Sequence, residues 1–239
     1  MKNNFTIEEV KKFWDNVASE YDRINSKIGD SHYQRFVKSV NRLNINKNKE
    51  EKILNIWSRT GNAISYLKKE YPKINLYNLE VSPEMIKITQ KKYPNEKLMI
   101  TDLQNLQFDT NYFDAILSLE TLEHSPNPKK LITEFYRVLK PGGTLVMSLP
   151  PKTAEIPLKI YELFFENHGE GPHRFMPSKE VKNLLKNARF KIIEHSGTLL
   201  IPAGPKFLQQ FGEKIINIFQ NTPIKELGIR QFYTAKKIL

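Results

Sequence analysis

Apolar positions at the start of the chain recur at helical spacing. Val10, Phe13, Trp14, Val17 and Tyr21 fall on one face, which predicts a helix over 6–22. Thr6 and Glu9 form a capping box at its start. A second helix is expected over about 31–43, through Tyr33, Phe36, Val37 and Val40. The polar run from Asn44 to Lys52 then separates an N-terminal helical cap, residues 1–46, from a main domain, residues 47–239.

Beyond that linker, strands and helices alternate. Strands are expected at Lys52–Trp57, Leu76–Val81, Lys97–Ile100, Phe113–Leu119 and Thr144–Leu149. Helices are expected at Gly61–Tyr71, after the Ser82-Pro83 cap, and after Asn127-Pro128, where Leu131, Ile132, Phe135, Val138 and Leu139 share a face. Lys140-Pro141-Gly142-Gly143 reads as a stop and turn. Such alternation implies right-handed crossovers and a mainly parallel sheet covered on both faces, an α/β Rossmann-like architecture. Phe190–Ser196 and Gln231–Lys237 read as an antiparallel edge of the same sheet. A helix around 206–220 carries Phe207, Leu208, Phe211, Ile215, Ile218 and Phe219 on one side. It is expected to pack on the domain, with contact to a membrane surface or a lipid-like substrate as the other reading.

The 239 residues suit one such domain with substrate-covering segments, at about 151–176 and 198–229. No apolar run reaches the length of about eighteen residues needed to cross a membrane. Met1-Lys2-Asn3-Asn4 leads straight into the first helix, so no signal peptide is expected. The absence of Cys excludes disulfides, thiolate metal sites and a Cys nucleophile, and fits a cytoplasmic setting. Lys and Arg exceed Asp and Glu by 37 to 26. Only eight of the 37 are Arg, and the Lys residues are scattered without an Arg–aromatic cluster. That distribution argues against RNA, and DNA is not expected.

In an open parallel sheet, ligands sit beyond the carboxyl ends of the strands. The residues there are Trp57–Gly61, Glu80, Thr101-Asp102 and Leu119–His124. An acid ending the second strand, here Glu80, has the position to accept both hydroxyls of a ribose. A solvated loop carboxylate is the equal alternative.

The order of Glu80-Val81-Ser82-Pro83-Glu84-Met85, Asp102, Phe113-Asp114, Glu123-His124 and Arg137 to Gly143 resembles that of class I S-adenosylmethionine-dependent methyltransferases. The start, Phe13-Trp14-Asp15 through Ala18, Tyr21-Asp22 and Asn25, also resembles the cap of quinone-pathway methyltransferases. The resemblance implies seven strands, the last antiparallel and inserted beside the sixth. It implies that Glu80, with Val81 beside it, holds the cofactor's ribose, that Asp102 accepts from the adenine amino group, and that Leu103 packs on the ring. Leu119 and Glu120 would lie under the methionine portion.

The family's first motif, an acid followed by three alternating glycines, reads here Asn55-Ile56-Trp57-Ser58-Arg59-Thr60-Gly61. Only Gly61 remains. Glycine serves there because the ligand comes close to bare main chain. Trp57 and Arg59 admit three accounts: a displaced loop with Arg59 on the cofactor carboxylate, a different and smaller ligand, or a non-catalytic relative.

Glu120-Thr121-Leu122-Glu123-His124 has the form ExxEH. Together with a later His it resembles the metal sets of ubiquinone-pathway O-methyltransferases and of RNA terminal 2′-O-methyltransferases. Glu120, Glu123, His124 and His173 are thus candidate ligands for a divalent cation such as Mg2+, with His168 competing for the last place. His124 and His173 are also candidate bases or substrate contacts without metal. His32 and His195 carry less expectation. Tyr161, Phe164 and Phe165 line a pocket or are core. The reading that results is methyl transfer from S-adenosylmethionine to a small molecule, at oxygen: a quinone precursor, a lipid-linked compound or a sugar. The alternatives are a binding protein that has lost the cofactor and an RNA 2′-O-methyltransferase. Oligomeric state is not legible.

Overall fold

The computed structural model describes residues 4–28, 30–164 and 166–238. Phe165 and the opening Met1-Lys2-Asn3 lie outside the described residues. The chain runs α1 (Ile7–Ile28), α2 (Asp30–Val40), β1 (Lys52–Ile56), α3 (Asn62–Glu70), β2 (Asn75–Glu80), α4 (Pro83–Lys92) and β3 (Lys97–Ile100). It continues with β4 (Phe113–Leu119), α5 (Pro128–Val138), β5 (Leu139–Leu149), α6 (Glu155–Phe164), α7 (Ser178–Asn187), β6 (Phe190–Thr198), α8 (Lys206–Ile218) and β7 (Arg230–Lys237).

The seven strands form one sheet in the order β3-β2-β1-β4-β5-β7-β6. All pairs from β3 to β5 are parallel, and β7 pairs antiparallel with both β5 and β6. The expected antiparallel edge is therefore present. The order reverses direction between β1 and β4, which makes their carboxyl ends the switch point.

Strand periodicity sends alternate side chains to two cores. Leu54, Ile56, Leu145, Met147 and Leu149 join α1, α4, α5 and α7 on one face. Ile53, Ala115, Leu117, Leu119 and Val146 meet α2 and α3 on the other. Local caps hold as the residues dictate. Thr6 N–H donates to Glu9 Oε2 at 2.7 Å and Glu9 N–H to Thr6 Oγ1 at 3.2 Å. Ser82 Oγ accepts from Met85 N–H at 3.1 Å.

Four expectations change. Helix α1 continues six residues past 22, because the polar turn after Tyr21 still presents Ile24 and Asn25 inward. Lys140 to Gly143 lies within β5 as an irregularity, since the register jumps from Phe113↔Leu139 to Ala115↔Thr144. Helix α8 does not bury its apolar side: Gly212 and Ile216 are buried, but Phe207 is 68% and Ile218 75% exposed. Helix α6 likewise leaves Ile156, Ile160, Leu163 and Phe164 exposed, so Phe164 is not core. Among the described residues, no helix is long and apolar enough to cross a membrane.

Candidate active site

The loop after β1 has an unusual backbone. Trp57 (φ 49°), Arg59 (φ 52°) and Gly61 (φ 81°) are all in the left-handed region. These are the alternate positions where three glycines would stand in the resembling family. The chain thus takes the path that glycines make cheap, with two bulky residues that each lose about 1–2 kcal/mol there. The loop is tied down by Ser58 N–H to Leu79 O (2.9 Å) and Gly61 N–H to Ser58 O (2.9 Å). Gly61 is required by helix packing, since a Cβ there would meet Thr89 Cγ2 and the Tyr93 ring at 2.9 Å. Leu103 (φ 63°) and Glu120 (φ 51°) repeat the left-handed conformation after β3 and β4. Strain of this kind collects where a fold builds a binding site.

The two large side chains fold into the space that the loop encloses. Trp57 is 3% exposed and Arg59 7%. The Arg59 guanidinium lies 3.6 Å from the Trp14 ring and 4.6 Å from the Trp57 ring, and the Trp57 ring is 5.5 Å from His124. Trp14 belongs to α1, which is latched over the same strand ends. Ser82 Oγ donates to Asp15 Oδ1 at 2.6 Å, and Thr60 Oγ1 to Asp22 Oδ1 at 2.6 Å.

Glu80 ends β2 as expected but is 0% exposed. Its Oε2 accepts from Arg59 N–H at 2.8 Å, and its Oε1 from Val81 N–H at 2.8 Å and Ser82 N–H at 3.2 Å. Burial raises its pKa against the opposing pull of Arg59 and these N–H groups. Asp102 accepts from Gln104 N–H at 2.9 Å, and Leu103 is buried. Asn55 is also buried, donating from Nδ2 to Asn78 Oδ1 at 2.9 Å across the β1–β2 pair.

A cavity opens beyond β1 and β4, under α1, α2 and α6 and beside the start of β7. Asn55, Trp57, Arg59, Leu119, Glu120 and His124 line it, and Tyr161 joins them from α6. Gly61, Glu80, Val81, Asp102, Leu103, Glu123 and His173 do not. The candidate residues therefore divide into those that line the cavity and those that do not, among them the buried Glu80 and the exposed Asp102.

The divalent-cation expectation is corrected by the same geometry. Glu120 pairs with Arg35 from α2 and with Arg230 Nε of β7 at 2.7 Å, so its carboxylate is turned away from the rest of the ExxEH set. Glu123 is buried, its Oε2 has no partner, and burial pushes its pKa up to about 8. His124 Nδ1 lies 2.9 Å from Pro172 O and His173 Nδ1 2.8 Å from Gly171 O, with the two rings 5.9 Å apart. A carbonyl only accepts, so in both rings Nδ1 carries the proton and Nε2 is the basic nitrogen. Among the described residues, no group of three or more His, Asp or Glu is placed to hold a metal ion.

The cavity also contains the competing candidate His168, the less expected His32, and two arginines that the sequence pattern left out. His168, rather than His173, reaches it, stacked on Tyr21 at 5.3 Å. His32 and Arg35 line it from α2, and Arg230 from β7. The sequence signal for Arg35 is a charge set next to Phe36 on a helix whose other face is already polar.

The buried acids give the protein a pH signature. Above about pH 7.5 an unfolded histidine is mostly neutral, and burial lowers His124 and His168 below the ordinary value, so these two change charge little on unfolding there. Burial raises the pKa of Glu123, and that of Glu80 and Glu170 as well. The folded pKa of Glu123, about 8, exceeds its unfolded value, so the stability it contributes is complete below the unfolded pKa and is lost as pH rises through 8. The melting temperature is expected to fall from about pH 7.5 to 8.5. Glu123→Gln should flatten that fall and be the more stable protein at pH 8. An identical slope in the variant, by differential scanning fluorimetry, would refute the assignment.

Residues 54–147 match the family model described as Methyltransferase domain. The "Demethylmenaquinone methyltransferase" of Thermotoga maritima is 28% identical over 163 residues, 67% of this chain and 71% of that protein. Among solved structures, a SAM-dependent methyltransferase of Thermotoga maritima superposes with a TM-score of 0.66 at 20% identity, covering 95% of this chain and 99% of that one. The [4+2]-cyclase SpnF superposes with a TM-score of 0.73 at 16% identity, covering 99% and 97%. Residues 54–147 thus form a methyltransferase domain, set in the seven-stranded sheet of the class I S-adenosylmethionine-dependent methyltransferase fold.

The cofactor meets an uneven site. Leu119 and Glu120, which the resemblance puts under the methionine portion, line the open cavity. Glu80, which the resemblance gives to the ribose, has both oxygens on main-chain N–H groups and no exposed surface in this conformation. An adenosyl group requires Trp57 and Arg59 to leave the positions they hold here.

Proposed function

We propose that the chain methylates a small amphipathic acceptor at oxygen, with the acceptor seated in the cavity beyond β1 and β4. The observation that carries this reading is the cavity's place at the switch point, with aromatic and aliphatic walls and His124 neutral on its rim. His124, oriented by the Pro172 carbonyl, would take the acceptor's hydroxyl proton on Nε2. Neither His173 nor a metal is needed for that step. The names of the similar proteins make a quinone precursor the first acceptor to test. The bare hydrocarbon faces of α6 and α8, beside the cavity wall, suit an acceptor with a lipid-like portion.

The test is formation of S-adenosylhomocysteine over a panel of phenolic and quinol acceptors. Turnover with an acceptor, reduced about 100-fold in His124→Ala, is expected. No turnover with any acceptor, and no heat on titration with S-adenosylhomocysteine, would favour the second reading. That reading is a binding protein on the same fold, and the sealed Glu80 is what favours it.

A further inference from the structure

The chain has two tryptophans, Trp14 and Trp57, and both rings lie against the one guanidinium of Arg59. Arg59 is more than nine-tenths buried, yet its Nη1 has no hydrogen-bond partner. The same holds for Trp14 Nε1, Trp57 Nε1 and Ser58 Oγ. Four buried donors without acceptors, one of them permanently charged, form an incomplete polar site that calls for an anion. The nearest carboxylate in the loop does not supply it, because Glu80 is occupied by main-chain N–H groups, including that of Arg59 itself.

The direction of entry follows from what is sealed. Glu80 and the latched α1 close the nucleoside side, while Arg59, Trp14, Trp57 and Ser58 all face the cavity. The remaining walls include Phe36, Leu119, Tyr161, Leu199 and Ile229. Two acids, Glu162 and Glu170, stand among the lining residues, and burial raises the pKa of Glu170. A guanidinium fork matches a planar carboxylate in two parallel hydrogen bonds, and the indoles on either side favour a flat body behind it.

We infer that the cavity binds a small aromatic carboxylic acid, its carboxylate on Arg59 and its ring among the apolar walls, without any need for the cofactor. All four residues that carry the unpartnered donors line the cavity. This goes beyond methyl transfer and does not depend on it.

The test is a titration of the full chain, free of cofactor, with benzoate and with benzamide, followed by intrinsic tryptophan fluorescence. Both tryptophans touch Arg59, so the whole signal reports on this site. Benzoate should change the fluorescence saturably, and benzamide should bind at least about tenfold more weakly. Arg59→Met should weaken benzoate by about tenfold or more, with Arg59→Lys between, since it keeps the charge and loses the fork. Equal binding of benzamide and benzoate by the parent overturns the inference, whether or not the variants fold. S-adenosylhomocysteine is titrated in parallel. If it binds and benzoate does not, the inference falls and methyl transfer stands. If benzoate binds and S-adenosylhomocysteine does not, the inference stands and the methyltransferase activity falls.

Discussion

Replacing both Trp57 and Arg59 by glycine is expected to raise the affinity for S-adenosylhomocysteine by about 30-fold or more while lowering the melting temperature. The two effects have separate origins. In the parent, a nucleoside enters only by driving an indole and a guanidinium out of close contact with Trp14 and His124. If that displacement costs about 2 kcal/mol, removing it is worth about 30-fold in binding. Glycine also takes the left-handed conformation at 57 and 59 without the penalty the present residues bear. Against this stands the loss of a buried aromatic ring, which costs about 3–5 kcal/mol of folding stability and outweighs the relief of strain. Calorimetry and thermal melting on the same preparations separate the two. Parent-like affinity in the double variant would mean that these side chains do not block the crevice.

The second large effect is expected at Glu120. Its carboxylate is shared between Arg35 and Arg230, and so joins the cap helix α2 to the first residue of β7. All three side chains are mostly buried. Glu120→Ala leaves two guanidiniums facing one another in low dielectric, and breaking a buried pair in this way costs about 3–5 kcal/mol. For a chain of this size that is a drop of roughly 6–20 °C in melting temperature. Adding Arg35→Met to Glu120→Ala should restore part of the loss, because one uncompensated charge is gone. A Glu120→Ala protein that melts with the parent would show that the bridge is not holding the cap.

Much of the fold was legible because its signals are local. The Thr6/Glu9 box, the Ser82-Pro83 cap and the short apolar runs of β1, β4 and β5, buried on both faces, each depend on residues within a few positions of one another. The site was legible only as a set of strand ends. Sequence spacing placed Glu120, Glu123 and His124 together, but a left-handed residue at 120 sends the first carboxylate to α2 and β7. Arg35 and Arg230 are 195 positions apart, and no local pattern pairs them. Nor could periodicity reveal that Trp57 and Arg59 accept a glycine-like backbone, since both residue types normally avoid it. The exposed side of α8 escaped for a related reason: amphipathic spacing marks an apolar face without saying what covers it.

The central claim is that this methyltransferase fold keeps the glycine-loop path and fills it with its own side chains. A crystal structure of the parent chain grown with S-adenosylhomocysteine tests it most directly. The account predicts positive φ retained at 57 and 59, the indole and guanidinium swung out, and Glu80 released from Arg59 N–H to meet the ribose hydroxyls. A bound nucleoside beside an unmoved Trp57 and Arg59 would contradict it.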